Sequence, residues 1–213
     1  MLQRLLRRYA RREAHRLAPY VRGRRVLDLG AGEAWVGEAL RACTSAWACS
    51  VDVGAFGLAR QPYVVYDGAR LPFGDGAFDT SVISLALHHC ADPERVLDEA
   101  VRVAGERLLV VESVYRNRRE RLWLELLDGR LNRRRHGGAM NVPLGFRRPE
   151  QWRALFEARG LRIAAVEWLG SRLERLVHHP LLYVMDTARG AVSARTTAFR
   201  HLAMGAAAAA APK

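Results

Sequence analysis

A chain of 213 residues, half of them hydrophobic, has the size of one α/β domain with additions and enough apolar material for a core. No apolar run reaches the ~20 residues of a membrane span. The N-terminal Met1-Leu2-Gln3-Arg4-Leu5-Leu6-Arg7-Arg8 lacks the apolar stretch of a secretory signal, so a cytoplasmic protein is expected.

The net charge of +12 first suggests a nucleic-acid binder, but the charge is unevenly placed. Residues 1–25 carry nine Arg against one Glu, and residues 26–113 carry six Arg against thirteen acids. Residues 114–153 return to eleven Arg against four acids, so an acidic middle lies between basic flanks. Lys213 is the single lysine, and a purely electrostatic phosphate binder has little reason to exclude lysine. Cys43, Cys49 and Cys90 form no Cys-x-x-Cys pair and are odd in number. Reduced thiols are expected, with neither a disulfide framework nor a metal site.

In chain order, Leu2, Leu5, Leu6, Tyr9 and Leu17 recur at near-helical spacing among arginines, predicting an amphipathic helix over 2–20 that ends near Pro19 and Gly23. Strands follow at 25–29, 48–53, 63–66, 80–85, 107–112, 161–168 and 181–186. Helices are predicted at 34–43, 93–104 (with Asp92 as its cap), 118–131 and 149–159. Strands alternating with helices imply a doubly wound, mainly parallel sheet covered on both faces. We assign residues 1–188 to a single domain and 189–213, ending in an Ala run, to a tail expected to be partly disordered. Within the domain, 1–22 form the basic helix, 24–112 a nucleotide-binding core, 113–148 an insertion and 149–188 the rest of the sheet.

Asp28-Leu29-Gly30-Ala31-Gly32 closes the first strand and leads into the first internal helix. Glycines there let the backbone turn tightly and approach a ligand at a helix N-terminus. A dinucleotide fingerprint needs a third small residue at 35, where this chain has Trp35; a phosphate loop needs Gly-Lys-Ser/Thr, which does not occur. Asp52 ends the second strand, where a carboxylate can accept from ribose hydroxyls, and Asp67 ends the third, where it can accept from an adenine amine. Three successive strands thus present polar groups at one edge of the sheet.

The segment Leu71-Pro72-Phe73-Gly74-Asp75-Gly76-Ala77-Phe78-Asp79, followed by Ser84-Leu85-Ala86-Leu87-His88-His89 and Asp92-Pro93, resembles the class I S-adenosylmethionine-dependent methyltransferases that act mostly on small molecules. The resemblance covers about residues 24–113 closely and 146–170 more loosely. It implies a Rossmann-like methyltransferase fold of seven strands with the last antiparallel. It also implies that Asp28, Gly30, Gly32, Asp52, Asp67 and Ser84, with the adjoining Ala31, Val53 and Gly68, line a pocket for S-adenosyl-L-methionine, whose product is S-adenosyl-L-homocysteine. The family usually has Thr or Ser and then Gly after the second glycine; here Glu33 and Ala34 stand there. Glu33 either complements the helix N-terminus or faces the cofactor's ammonium.

Methyl transfer from a sulfonium needs alignment and exclusion of water, plus a base where the acceptor carries a proton. His89 and His88, after the fourth strand, are the catalytic candidates; their position in related proteins can hold a Glu-His pair, and here the carboxylate is absent. His136, Tyr115 and Asn141 are weaker candidates. In 113–148, Leu122, Trp123, Leu126 and Leu127 at helical spacing suggest a helical lid, with His136-Gly137-Gly138 a mobile join. Arg116, Arg118, Arg119, Arg121 and Arg133-Arg134-Arg135 could recognise an anionic acceptor. The expected partner is a small-molecule acceptor methylated at O, N or C. A nucleic-acid methyltransferase is the second reading, disfavoured because neither an Asn/Asp-Pro-Pro-aromatic sequence nor a Pro-Cys nucleophile occurs. A non-catalytic or membrane-associated protein retaining the fold is the third.

Overall fold

The computed structural model describes residues 2–136, 144–170 and 178–190, side chains excepted at the ends of the first stretch. Gly137, Gly138, Asn141, the side chains of Arg133–Arg135 and His136, and the tail from residue 191 lie outside the described residues.

The chain opens with α1 (Leu2–Leu17) and a 3-10 turn at Ala18–Tyr20, then alternates strands and helices. β1 (Arg25–Leu29), α2 (Trp35–Thr44), β2 (Trp47–Asp52), β3 (Tyr63–Val65) and β4 (Phe78–Ser84) come first. A 3-10 turn at Leu87–His89, α3 (Pro93–Val103), β5 (Ala104–Ser113), α4 (Arg118–His136), α5 (Pro149–Glu157), β6 (Arg162–Trp168) and β7 (Pro180–Asp186) follow. Most predicted boundaries are met within a residue or two. β5 is longer than expected because Ala104 pairs with Phe78 across an irregularity in the ladder, so the strand starts where α3 stops.

The seven strands form one sheet in the order β3-β2-β1-β4-β5-β7-β6. β1 to β5 are mutually parallel, and β7 runs antiparallel to both β5 and β6. Successive residues of a strand point to opposite faces. Leu27, Leu29, Ile83, Leu108 and Val110 therefore pack with α3 and α5, through Leu97, Trp152 and Phe156. Val26, Val82, Leu109 and Val111 pack on the other face with Leu17 of α1 and Leu40 of α2. Burial on both faces is why the central strands read as continuous apolar runs. Edge strand β6 instead alternates exposed and half-buried residues.

Where β1 is followed outward by β2 and β3, and the chain then returns to β4 on β1's other side, the order reverses. Such a switch point opens a crevice at the strands' carboxyl ends, the usual place for a ligand in this architecture. α3 is started beside it by Asp92, which accepts from the Arg95 N–H at 3.0 Å, with Pro93 at the first helical position.

Candidate active site

A cavity of about 600 Å³ occupies that crevice. Its wall follows the topology: the turn after β1 (Gly30 to Glu33), the ends of β2 (Asp52, Val53) and β3 (Asp67, Gly68), and the end of β4 with its continuation (Ser84 to Ala86, His89). α1 closes it with Leu6, Tyr9, Ala10 and Glu13.

The β1 turn requires glycine for two separate reasons. Gly30 has φ +70, and a Cβ there would stand 2.4 Å from the Ala86 Cβ. Its N–H and that of Ala31 donate to the Val51 carbonyl at 2.9 and 3.1 Å, tying the turn to β2. Asp52 continues the connection, its Oδ2 accepting from the Gly32 N–H at 2.8 Å. Ala34, where the family usually has glycine, adopts φ 67 and is fully buried. It caps α2 in a left-handed conformation that costs an L-residue about 1–2 kcal/mol.

Every residue expected at the cofactor lines this cavity except Asp28. Asp28 lies beneath it, 1% exposed, accepting from the Gly37 N–H and the Ser50 hydroxyl, each at 2.9 Å. The expectation that Asp28 lines the pocket is corrected on this point: its carboxylate is turned under α2 and ties that helix to Ser50 of β2. A Cβ at Gly37 would meet the Asp28 carboxylate oxygen at 2.8 Å, so glycine there is what lets α2 settle on the aspartate. Burial pushes the Asp28 carboxyl up to about 6 against the lowering effect of its two donors. Asp67, at the exposed rim, accepts from Ala69 and Arg70 N–H groups at 2.8 and 2.9 Å, which hold its carboxyl below the ordinary range. Glu33 is buried in the cavity wall and directly precedes the Ala34 cap of α2, a location that fits both the ammonium-facing and the helix-terminus reading.

Glu13 was not singled out from the sequence. It projects from α1 into the cavity, 5% exposed, and its Oε1 accepts from the Ser84 hydroxyl at 2.5 Å. Its Oε2 is buried without a hydrogen-bond partner among the described residues. Burial, and secondarily Asp28, raise this carboxyl to about 7 against the Ser84 bond. One acid in an arginine-rich amphipathic helix was the available signal. α1 is anchored through Trp35, whose indole N–H donates to Gln3 Oε1 at 3.1 Å beneath the Arg7 guanidinium.

At the other end stand the histidines. His89 lines the cavity, with Nε2 3.3 Å from Asp128 Oδ2. His88 is 2% exposed and stacks on Phe146 at 4.5 Å between ring centroids. Its Nδ1 meets Glu112 Oε2 at 2.5 Å, while Glu112 Oε1 accepts from the Leu87 N–H at 2.7 Å. The expected lack of a carboxylate partner is therefore corrected. Glu112 at the end of β5 and Asp128 of α4 supply two, both from segments remote in sequence. Burial alone would depress His88, but the two carboxylates outweigh it and hold the imidazole up at about 9. Burial pushes the Cys90 thiol up to about 12, so it is no nucleophile at neutral pH.

α4 faces the site differently from its expected apolar stripe. Leu122, Trp123 and Leu126 are exposed, whereas Leu124 is buried against Tyr115 and Phe146. Leu124 and Asp128, four residues apart, share the inward face. Tyr115 is thus a packing residue under α4, with the guanidinium groups of Arg121 and Arg148 near its ring.

The family model described as "Methyltransferase domain" matches residues 27–107. A demethylmenaquinone methyltransferase of Mycobacterium sp. (strain KMS) is 37% identical over 180 residues, covering 79% of this chain and 78% of that protein. The demethylmenaquinone methyltransferase of Mycobacterium bovis (strain BCG / Pasteur 1173P2) is 44% identical over 112 residues, covering 49% of this chain. The chain spans 46% of the length of that relative. In fold it is similar to a SAM-dependent methyltransferase from Aquifex aeolicus, with a TM-score of 0.61 and 15% identity over 85% of this chain and 93% of that one. Sheet order and crevice define a Rossmann-like α/β protein with a nucleotide-sized site at its switch point. The chain belongs to the S-adenosylmethionine-dependent methyltransferases.

Proposed function

We propose that this chain transfers the methyl group of S-adenosyl-L-methionine to a small-molecule acceptor that sits at the His89 end of the cavity. The observation that carries this reading is one continuous cavity with two chemically distinct ends. One is the Gly30–Gly32 turn with Asp52, Asp67 and Ser84, and the other is His89 beside Asp128. In this reading Asp52 and Asp67 accept from the ribose and adenine. Ala31, Gly68 and Val53 flank the nucleoside, while Glu33 and Glu13 are anionic partners for the methionine ammonium and the sulfonium. His89, which lines the cavity, is the residue proposed to handle a proton leaving the acceptor, with buried His88 packed behind it.

The names of the relatives point to a quinone-type acceptor, and an acidic ring hydroxyl suits a site with histidines at its acceptor end. Buried carboxylates around the cavity favour a cationic cofactor over nucleic acid, whose phosphates they would repel. Methyl transfer itself is an in-line displacement: an acceptor electron pair forms the new bond as the carbon–sulfur bond breaks, and its electrons stay on sulfur. The chain's part is to align the two groups and keep water out, with α1 over the cofactor end.

The test is incubation with S-adenosylmethionine labelled in its methyl group and a series of demethylated hydroquinones and simple phenols. Label in an organic-extractable product, with equimolar S-adenosylhomocysteine, is expected for at least one acceptor class. Label transferred to RNA in preference to every small molecule would contradict the proposal.

A further inference from the structure

Among the described residues, His88, His89 and Asp128 bring three metal-ligating atoms within 4.8 Å of one another. His89 Nε2 lies 3.3 Å from Asp128 Oδ2, and His88 Nε2 lies 4.0 Å from Asp128 Oδ1. Ligand atoms bound at 2.0–2.2 Å around one zinc-like ion are separated by roughly 3–4 Å, so the group needs only small side-chain adjustment to share an ion.

Two further features point to a ligand and not merely to a polar cluster. His88 Nε2 is buried without a hydrogen-bond partner among the described residues, on a side chain 2% exposed. With Asp128 Oδ1 at 4.0 Å, beyond hydrogen-bond distance, that nitrogen is costly unless something occupies the space between them. On the opposite edge of the same ring, Nδ1 is engaged by Glu112 at 2.5 Å, and Glu112 is itself fixed by the Leu87 N–H. A carboxylate holding the far nitrogen of a histidine is the outer arrangement that orients metal-ligating imidazoles and raises their basicity. Phe146 stacked on the ring completes its immobilisation.

We propose that His88, His89 and Asp128 bind a divalent transition-metal ion at the acceptor end of the cavity, with Glu112 as the orienting carboxylate. Two imidazoles and one carboxylate suit zinc, cobalt or iron(II) and leave a coordination position for an acceptor oxygen. The inference rests on the reading of the cavity as a methyl-transfer site and says how the acceptor's proton is handled there. A phenol or enol hydroxyl bound to the ion becomes more acidic and releases its proton to solvent. The resulting anion supplies the electron pair that attacks the methyl carbon while the carbon–sulfur electrons return to sulfur. The ligands come from two segments about forty residues apart, and the cysteines, whose spacing suggests no metal site, take no part.

The test is titration of the chelator-treated full chain with Zn²⁺ by calorimetry and with Co²⁺ by visible absorption. One equivalent is expected to bind, and Co²⁺ is expected to show the bands of a four- or five-coordinate histidine site. Asp128→Asn and His89→Ala should each weaken binding more than about 100-fold, and Glu112→Gln about 10- to 100-fold. S-adenosylhomocysteine binding by Asp128→Asn serves as the check that the variant is folded. Absence of stoichiometric binding by the wild type overturns the proposal, as does Asp128→Asn binding Zn²⁺ like wild type. Either result can coexist with intact cofactor binding, and so leaves the methyltransferase reading standing; loss of cofactor binding by the wild type would sink that reading instead.

Discussion

Gly30 shows how little freedom the cofactor turn has at single-residue resolution. Gly30→Ala forces a Cβ to 2.4 Å from the Ala86 Cβ in a left-handed conformation. Overpacking of this kind, added to an unfavourable φ, is expected to cost about 2–4 kcal/mol and to displace the loop carrying His89. Thermal unfolding of the variant measures the first effect, and S-adenosylhomocysteine titration the second; a variant as stable as wild type would show that the turn is not so confined. Glu13 is the other residue whose behaviour can be read directly. Its folded pKa, raised from 4.5 to about 7, means that the native state keeps a proton the unfolded chain has lost. The stabilisation from that proton is complete below 4.5, declines as pH rises and is gone above 7. The unliganded protein should therefore melt progressively lower between pH 5 and 7.5, with Asp28 acting in the same direction over a lower range. Glu13→Gln should flatten the slope, and an unchanged slope would assign it to other groups. A cationic cofactor reverses the preference, so affinity for S-adenosylmethionine should rise with pH over the same range, by up to about tenfold per unit for one released proton.

The elements differ in how openly the sequence announces them. Strands β1, β2 and β4 are largely apolar runs that end at or next to Asp28, Asp52 and Ser84, and the alternation with helices makes a parallel sheet legible before any coordinates. The same strand ends disclosed most of the cavity wall. What stayed hidden depends on tertiary approach. Asp28 reads like Asp52 in the sequence, and only the descent of α2 through Gly37 turns it away from the cavity. Glu112 and Asp128 carry no local mark as partners of His88 and His89, because β5 and α4 reach the 3-10 turn from distant parts of the chain. The face of α4 was misjudged for a related reason. Leu122, Trp123 and Leu126 satisfy helical spacing as well as Leu124 does, but Leu124 is the one of these four that is buried with Tyr115 and Phe146. Leu124→Ala should therefore destabilise by about 2–4 kcal/mol, while Leu122→Ala stays within about 0.5 kcal/mol of wild type. Chemical denaturation of the pair decides this, and equal losses would mean that α4 packs on its other face. Toward the β6 side of the sheet, Asp186 of β7 holds the buried Arg107 at 2.6 Å and also pairs with Arg162. Asp186→Ala strands the Arg107 guanidinium and should cost about 3–5 kcal/mol without altering cofactor affinity.

Taken as one molecule, the chain concentrates negative charge in its middle and positive charge in its flanks, and the fold gives that division a use. The acidic residues of 26–113 include Glu33 and Asp52 in the cavity wall, with Asp28 beneath, while the basic α1 lies over the opening and contributes its own acid, Glu13, inward. The basic α1 thus covers an anionic cavity wall, so a net charge of +12 is compatible with a cavity that accepts a cation. No described helix is long and apolar enough to cross a membrane. The central claim is that the crevice between β1 and β4 holds S-adenosylmethionine by these groups, and calorimetric titration with S-adenosylhomocysteine tests it most directly. Wild type should bind one equivalent. Asp52→Ala, which removes a charged acceptor worth about 1.5–3 kcal/mol, should bind roughly 10- to 100-fold more weakly. No binding by the folded wild type, or equal binding by Asp52→Ala, would contradict the account.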